Sequence, residues 1–182
     1  MRSALVSIRK TLPLFSRDEY TLESLDLNEV THEGIALTLS DLQRNRVVLQ
    51  SELAEDLPTI TSDRIQPQQV ILNLLRNACD AMAEVHDRPR QLVITTGRDE
   101  GDRVRLGVWD AGVGVDLENI NKLHEAFYTT KSDGMGIGLS VSQSIIERHH
   151  GRLWAEPNYG PGATFSFSIP SRQTGVWEAR PR

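Results

Sequence analysis

The stretch QQVILNLLRNACDAM, residues 68–82, constrains the fold of this chain more than any other. At about 100° per residue, Val70, Ile71, Leu74, Leu75, Ala78, Ala81 and Met82 share one broad apolar arc, the pattern of a helix laid on a core. Pro67 suits a first helical turn, so the helix is expected from Pro67 to about Val85. Asn73, Asn77 and Asp80 fall together along one edge of the arc. Two readings fit this row: a solvated rim, or a polar line aimed at a ligand. Asn is a poor residue for a helix interior, and two of them four apart call for a reason. A metal–phosphate centre supplies one, because an amide carbonyl is a hard oxygen ligand suited to Mg2+, which keeps several waters and takes phosphate oxygens as well.

Around this helix the chain alternates between the two periodicities. Residues 3–15 read as the end of an amphipathic helix, broken by Pro13 and a polar stretch. A second helix is expected after Asn28 to about Gln43, with Val30, Ile35, Leu37, Leu39 and Leu42 as core candidates. NRVVLQSELA (45–54) reads as a strand and EDLPTITSD as a loop. QLVITTG (91–97) and RVRLGVWD (103–110), with a Gly/Asp turn between them, predict a hairpin. An irregular segment, 111–136, is expected to hold a short helix near 118–125, followed by a helix from about Gly136 to His149. GRLWAEP (151–157) and ATFSFSIP (163–170) predict a terminal hairpin around NYGPG. This order implies an α+β chain: a two-layer α/β sandwich whose mixed, mostly antiparallel sheet is covered on one face by helices.

In the strand that ends at Asp110, Val104, Leu106, Val108 and Asp110 share one parity. The apolar three must face the core, so the carboxylate is aimed the same way and needs a donor. It is either a turn aspartate capping its own backbone before Gly112, or the acceptor for an exocyclic amine such as that of adenine. In the second case Gly112 and Gly114 let the chain pass close to a flat ring.

DGMGIGLSVS (133–142) sets Gly134, Gly136 and Gly138 directly before a helix. It follows no strand, as a dinucleotide fingerprint would, and lacks the ending of a P-loop. Thr129, Thr130 and Lys131 lie just upstream and supply hydroxyls and a cation. The segment is either a plain surface loop or a cradle holding phosphates on backbone N–H groups at the helix N-terminus, with Lys131 adding charge.

Composition narrows the classes. A net charge of −5 offers no polyanion-binding surface, which argues against nucleic acid. The single cysteine, Cys79, excludes a disulfide scaffold or a multi-cysteine zinc site and fits a reducing compartment. No apolar run approaches transmembrane length and no signal peptide is visible, so neither membrane contact nor export is expected.

Four stretches in this order, NLLRNACDAM, DAGVGV, EAFYTTK and GMGIGLSVSQSIIERHHG, resemble the asparagine box, first glycine box, phenylalanine box and second glycine box of sensor histidine kinases. GPGATFSFSIP resembles the closing strand of that family. The likeness spans roughly residues 25–170 and implies the ATP-binding sandwich shared with type II topoisomerases, a heat-shock chaperone and mismatch-repair ATPases.

Carried residue by residue, the resemblance implies ATP and Mg2+ as cofactors, with Asn77 on the metal and Asn73 supporting the metal–phosphate cluster. It implies that Asp110 accepts from the adenine amine, that Gly112 and Gly114 line the base pocket, and that 125–136 form a mobile lid. Phe127 would anchor the lid and Lys131 would reach the phosphates. Gly136, Gly138 and Leu139 would offer N–H groups to the phosphate chain, and Thr164 would lie near adenine.

In hydrolytic relatives a glutamate four residues before the metal-binding asparagine activates water; here that position is Asn73, and a neutral amide cannot act as a general base. Transfer to a histidine is therefore expected rather than rapid hydrolysis. Of the histidines, His32 in HEGIAL has the His-Glu pair of an acceptor, but Leu37 stands where the family commonly has proline, and the segment aligns with the first helix of the ATP domain. His32 is read as a surface residue, His124 as part of the lid, His149 and His150 as the end of a helix, and His86 as lacking a visible partner. Residues 1–24 are expected to be the end of a dimerisation hairpin and its linker, 25–170 the catalytic ATP-binding domain and 171–182 a tail. The implied partners are a histidine-bearing dimerisation domain and the receiver domain of a response regulator, in the cytoplasm. The rival readings are an ATP-sensing or docking module of the same fold, and a true ATPase.

Overall fold

The computed structural model describes residues 21–115 and 138–171. The helix expected over 3–15, the short helix near 118–125 and the tail lie outside them. The described elements run β1 (Glu23–Leu25), α1 (Leu27–Arg44), β2 (Val48–Leu53), β3 (Ile60–Ser62), α2 (Ile65–Ala81), β4 (Gln91–Asp99), β5 (Arg103–Asp110), α3 (Gly138–Arg148), β6 (Arg152–Pro157) and β7 (Ala163–Pro170). Five strands form a mixed sheet in the order β2-β4-β5-β7-β6, antiparallel except for the β2–β4 pair. Among the described residues no helix is long and apolar enough to cross a membrane.

α2 is the central helix, and its arc is buried as its period requires: Val70, Ile71, Leu74, Leu75, Ala78 and Met82 are sealed, with Ala81 half-buried at the edge. Each large aliphatic chain so buried contributes roughly 1.5–3 kcal/mol. The helix begins two residues before Pro67, where Asp63 Oδ1 accepts from Ile65 N at 2.9 Å. It stops at Ala81 rather than near Val85, and a turn closed by Val85 N on Met82 O follows.

Opposite α2, the inward positions of the sheet, Leu92, Ile94, Val104, Leu106, Val108, Phe165 and Phe167, complete a single core. The two expected hairpins form in register. Gly101 and Asp102 turn β4 into β5 with positive φ (69° and 54°), and Pro157 pairs with Ala163 around the Asn158–Gly162 turn.

α1 corrects part of the expected core. Val30 and Leu42 are buried and Ile35 is half-buried, but Leu37 and Leu39 stand 59% and 48% exposed. The buried stripe instead follows Leu27, Val30, Thr31, Gly34, Thr38 and Leu42. Two of its members are threonines whose hydroxyls donate back to the helix, Thr31 to Leu27 O at 2.7 Å and Thr38 to Gly34 O at 3.0 Å, so polar residues satisfied locally occupy core positions. Gly34 lets α1 approach α2: a Cβ there would meet Ile71 Cγ2 at 2.7 Å. The expected loop over 55–63 also contains β3, which pairs antiparallel with β1 as a separate two-stranded sheet. Three residues per strand are too few to show a period.

Candidate functional site

β5 delivers the central carboxylate. Val104, Leu106 and Val108 alternate into the core, and Asp110 follows on the same side, 1% exposed. Its Oδ1 accepts from Gly112 N at 2.8 Å, and the N–H of Ala163 on β7 is a second donor. Burial pushes the carboxyl up to about 6, against the pull of those two hydrogen bonds. The turn-capping role is therefore present, and it leaves acceptor capacity: a carboxylate has about four lone-pair sites, and donors among the described residues use two.

The glycines around Asp110 are sites of close approach. A Cβ on Gly112 would lie 2.6 Å from Asp110 Oδ1 and 2.7 Å from Ala81 O. Gly162, at φ 88°, leaves no room for a Cβ against the Asp110 carbonyl. Gly114, at φ 82°, lies beside Gly162 O. The turn after β5, the end of α2 and the β6–β7 turn thus meet around one carboxylate.

On α2 the polar row is present, with Asn73 and Asn77 half-buried and Asp80 exposed. Asn73 Nδ2 donates to Gly138 O and to Ser142 Oγ, both at 3.1 Å. The row is thereby tied to the first turn of α3, where Gly138 is exposed and Leu139 packs against the core. With the amide hydrogens of Asn73 so engaged, its remaining polar atom is the hard carbonyl oxygen. Thr164 stands opposite Trp109, on the outer face of the sheet from the Asp110 carboxylate, and its hydroxyl donates to Asn158 Oδ1 at 2.7 Å. Phe127, Thr129, Thr130, Lys131, Gly134 and Gly136 lie outside the described residues.

Two residues of this region carry no signal in the sequence. Arg88 donates from Nε to Ala111 O (3.0 Å) and from Nη2 to Gly112 O (2.8 Å). Asn158 donates to Asp110 O (2.9 Å) and Pro161 O (3.0 Å). Asn158 reads from sequence only as a turn residue and Arg88 only as a charge before Pro89. Of the histidines, His32 is exposed on α1, and His149 bridges α3 to β3 through Ile145 O (2.8 Å) and Ser62 Oγ (2.7 Å). His86 Nδ1 lies 3.5 Å from Arg90 Nη2.

The sequence profile of the histidine kinase-, DNA gyrase B- and HSP90-like ATPases matches residues 62–173, a span that contains α2, Asp110 and the start of α3. The chain belongs to this family. Within it the chain is the catalytic-domain type of the sensor histidine kinases. It is 40% identical to the sensor protein FixL of Bradyrhizobium diazoefficiens over 90% of this chain and 32% of FixL. It therefore spans about a third of the length of that relative. The solved catalytic domain of histidine kinase ThkA is 32% identical, with a TM-score of 0.73 over 82% of this chain and 95% of that domain. ThkA has also been solved in complex with the response regulator protein TrrA (29% identity, TM-score 0.70, 84% of this chain and 42% of ThkA). Full-length ShkA in complex with AMPPNP matches at 26% identity and a TM-score of 0.73, over 84% of this chain and 31% of ShkA.

Proposed function

We propose that this chain binds Mg-ATP and directs the γ-phosphate to a histidine on a separate dimerisation domain, from which it passes to the receiver domain of a response regulator. The observation that carries the reading is Asp110: a buried carboxylate whose acceptor capacity the described residues do not exhaust, flanked by Gly112 and Gly162, which leave no room for a Cβ. That environment suits the exocyclic amine and flat face of adenine. The AMPPNP held by ShkA and the response regulator held by ThkA support the nucleotide and the downstream partner. The proposed setting is the cytoplasm.

Bound Mg-ATP supplies the transferable phosphoryl group and a divalent ion that offsets phosphate charge. The residues of the chain position it, which is the main task of a phosphoryl-transfer site. Asp110 accepts from the amine while Gly112 and Gly114 border the base. Asn77 turns its amide oxygen to the ion, with Asn73 and Asp80 beside it on the same edge. The N-terminus of α3, through Gly138 and Leu139, offers N–H groups to the phosphates. By the resemblance of their segments to the family's boxes, Lys131, Thr129 and Thr130 would add donors to the phosphates and Gly136 a further N–H, while Phe127 and Gly134 would belong to the lid. Thr164 acts on the base pocket at one remove, through Asn158 and the Asp110 carbonyl. Asn73 cannot deprotonate water, so ATP is kept for transfer.

Two measurements test this. Calorimetric titration with a non-hydrolysable ATP analogue should show binding that Mg2+ tightens. The chain incubated with labelled Mg-ATP should neither label itself nor turn over ATP quickly, and adding a histidine-bearing hairpin should place acid-labile phosphate on the hairpin. The rate should be low, because a separate hairpin lacks the effective concentration of a covalent link. Label on the chain alone that disappears in His32→Gln would make His32 the acceptor. Rapid phosphate release by the chain alone would make it an ATPase. Tight binding with no transfer to any hairpin would leave an ATP-sensing module.

A further inference from the structure

The peptide planes after Asp110 are each held at both ends. In the first, Asp110 O accepts from Asn158 Nδ2 (2.9 Å) while Ala111 N donates to Gln91 O (3.0 Å). In the second, Ala111 O accepts from Arg88 Nε (3.0 Å) while Gly112 N donates to Asp110 Oδ1 (2.8 Å). In the third, Gly112 O accepts from Arg88 Nη2 (2.8 Å) while Val113 N donates to Ala81 O (3.1 Å). A trans peptide points its C=O and N–H in opposite directions. Holding the Ala111 carbonyl therefore decides where the Gly112 N–H points, and it points at the carboxylate.

Arg88 is built for this task. Its side chain is 29% exposed, and its Nη1 is pinned by both carboxylate oxygens of Asp87 at 3.1 Å. Pro89 disfavours a helical backbone at Arg88, and after the turn that follows α2 the chain bends at Asp87 and Arg88. A guanidinium presents its donors as a rigid fork that reaches two successive carbonyls; an ammonium cannot.

We propose that Arg88 is a positioning residue for base recognition, orienting the Asp110 carboxylate toward a purine 6-amine through the Ala111–Gly112 peptide. The inference rests on the proposed adenine role of Asp110. Arg88 acts through Gly112, so its removal should loosen the aim of the carboxylate and blunt discrimination by the amine.

The test compares Mg2+ complexes of ATP and of purine riboside triphosphate, which lacks the amine, by calorimetry on the whole chain, with thermal melts to verify folding. The parent should favour ATP by roughly tenfold or more, the worth of a hydrogen bond to a charged group. Asp110→Ala should bring the ratio near one. Arg88→Met should lower the ratio about threefold or more while remaining folded, with Arg88→Lys lowering it as well. If Arg88→Met does not fold, Arg88→Lys decides by the same ratio. A purely structural Arg88 would weaken both nucleotides equally and leave the ratio unchanged, which overturns the inference. An unchanged ratio in Asp110→Ala overturns the base reading, and the role of Arg88 with it.

Discussion

Asn158 Nδ2 lies 2.9 Å from the carbonyl oxygen of Asp110 and donates to it, locking the β6–β7 turn over the end of β5. The same amide reaches Pro161 O at 3.0 Å and accepts from Thr164 Oγ1 at 2.7 Å. Gly162 makes the contact possible, because its missing Cβ is the space the Asp110 carbonyl occupies.

Gly162→Ala should therefore be among the most damaging single methyl additions in the chain. It combines a backbone at φ 88° with a steric overlap on backbone rather than on a flexible side chain. A loss of about 3 kcal/mol or more is expected, while Asn158→Ala should cost about 1–3 kcal/mol for the orphaned carbonyl. Urea unfolding of the two variants beside the parent gives the ranking; equal stabilities would show that the turn does not bear on β5.

Asp110 predicts a pH dependence with a definite sign. The folded carboxyl is pushed up to about 6 by burial, above its unfolded value of about 3.9. Between these values the native state binds more protons than the unfolded one, so this residue's contribution to stability falls as pH rises from about 4 to 6 and stays low above that. Asp110→Asn should gain stability relative to the parent above pH 6, by up to about 3 kcal/mol, and lose that advantage near pH 4. An amine donor favours the carboxylate, so affinity for an ATP analogue should fall as pH drops below about 6. A parent-minus-variant stability difference that is flat from pH 4 to 8 would refute the shift.

Asn77→Ala should keep the fold, since alanine is the better helix former and the position is only half-buried. Nucleotide binding should weaken, and Mg2+ should no longer tighten it. Titrations with and without Mg2+ separate a metal ligand from a simple rim residue: the same Mg2+ enhancement in variant and parent would remove Asn77 from the metal.

Gly34→Ala sets two effects against each other. Alanine improves helix propensity by about 1 kcal/mol, but its Cβ would sit 2.7 Å from Ile71 Cγ2 where α1 crosses α2. Overpacking of that kind costs about 1–3 kcal/mol, so net destabilisation is expected, partly relieved in the double variant Gly34→Ala/Ile71→Val. Thermal melts of the two variants measure this; a stabilised single variant would mean that the helices move apart at little cost.

Local pattern determined the elements that repeat long enough to show a period. The seventeen residues of α2 and the eight of β5 are buried where their spacing demands, and Asp110 faces the core because parity leaves it no other side. The ordered boxes were equally legible, because each is a short run of consecutive residues. Tertiary structure alone decided that β2 runs parallel to β4, that β1 and β3 form a second sheet, and that Leu37 and Leu39 face solvent while Thr31 and Thr38 are buried. It alone placed Arg88 on the carbonyls of residues 111 and 112 and Asn158 on that of residue 110. A bond from a side chain to a main-chain oxygen 23 or 48 positions away leaves no periodic trace, because any residue supplies that carbonyl and only the folded path of the chain brings the donor to it.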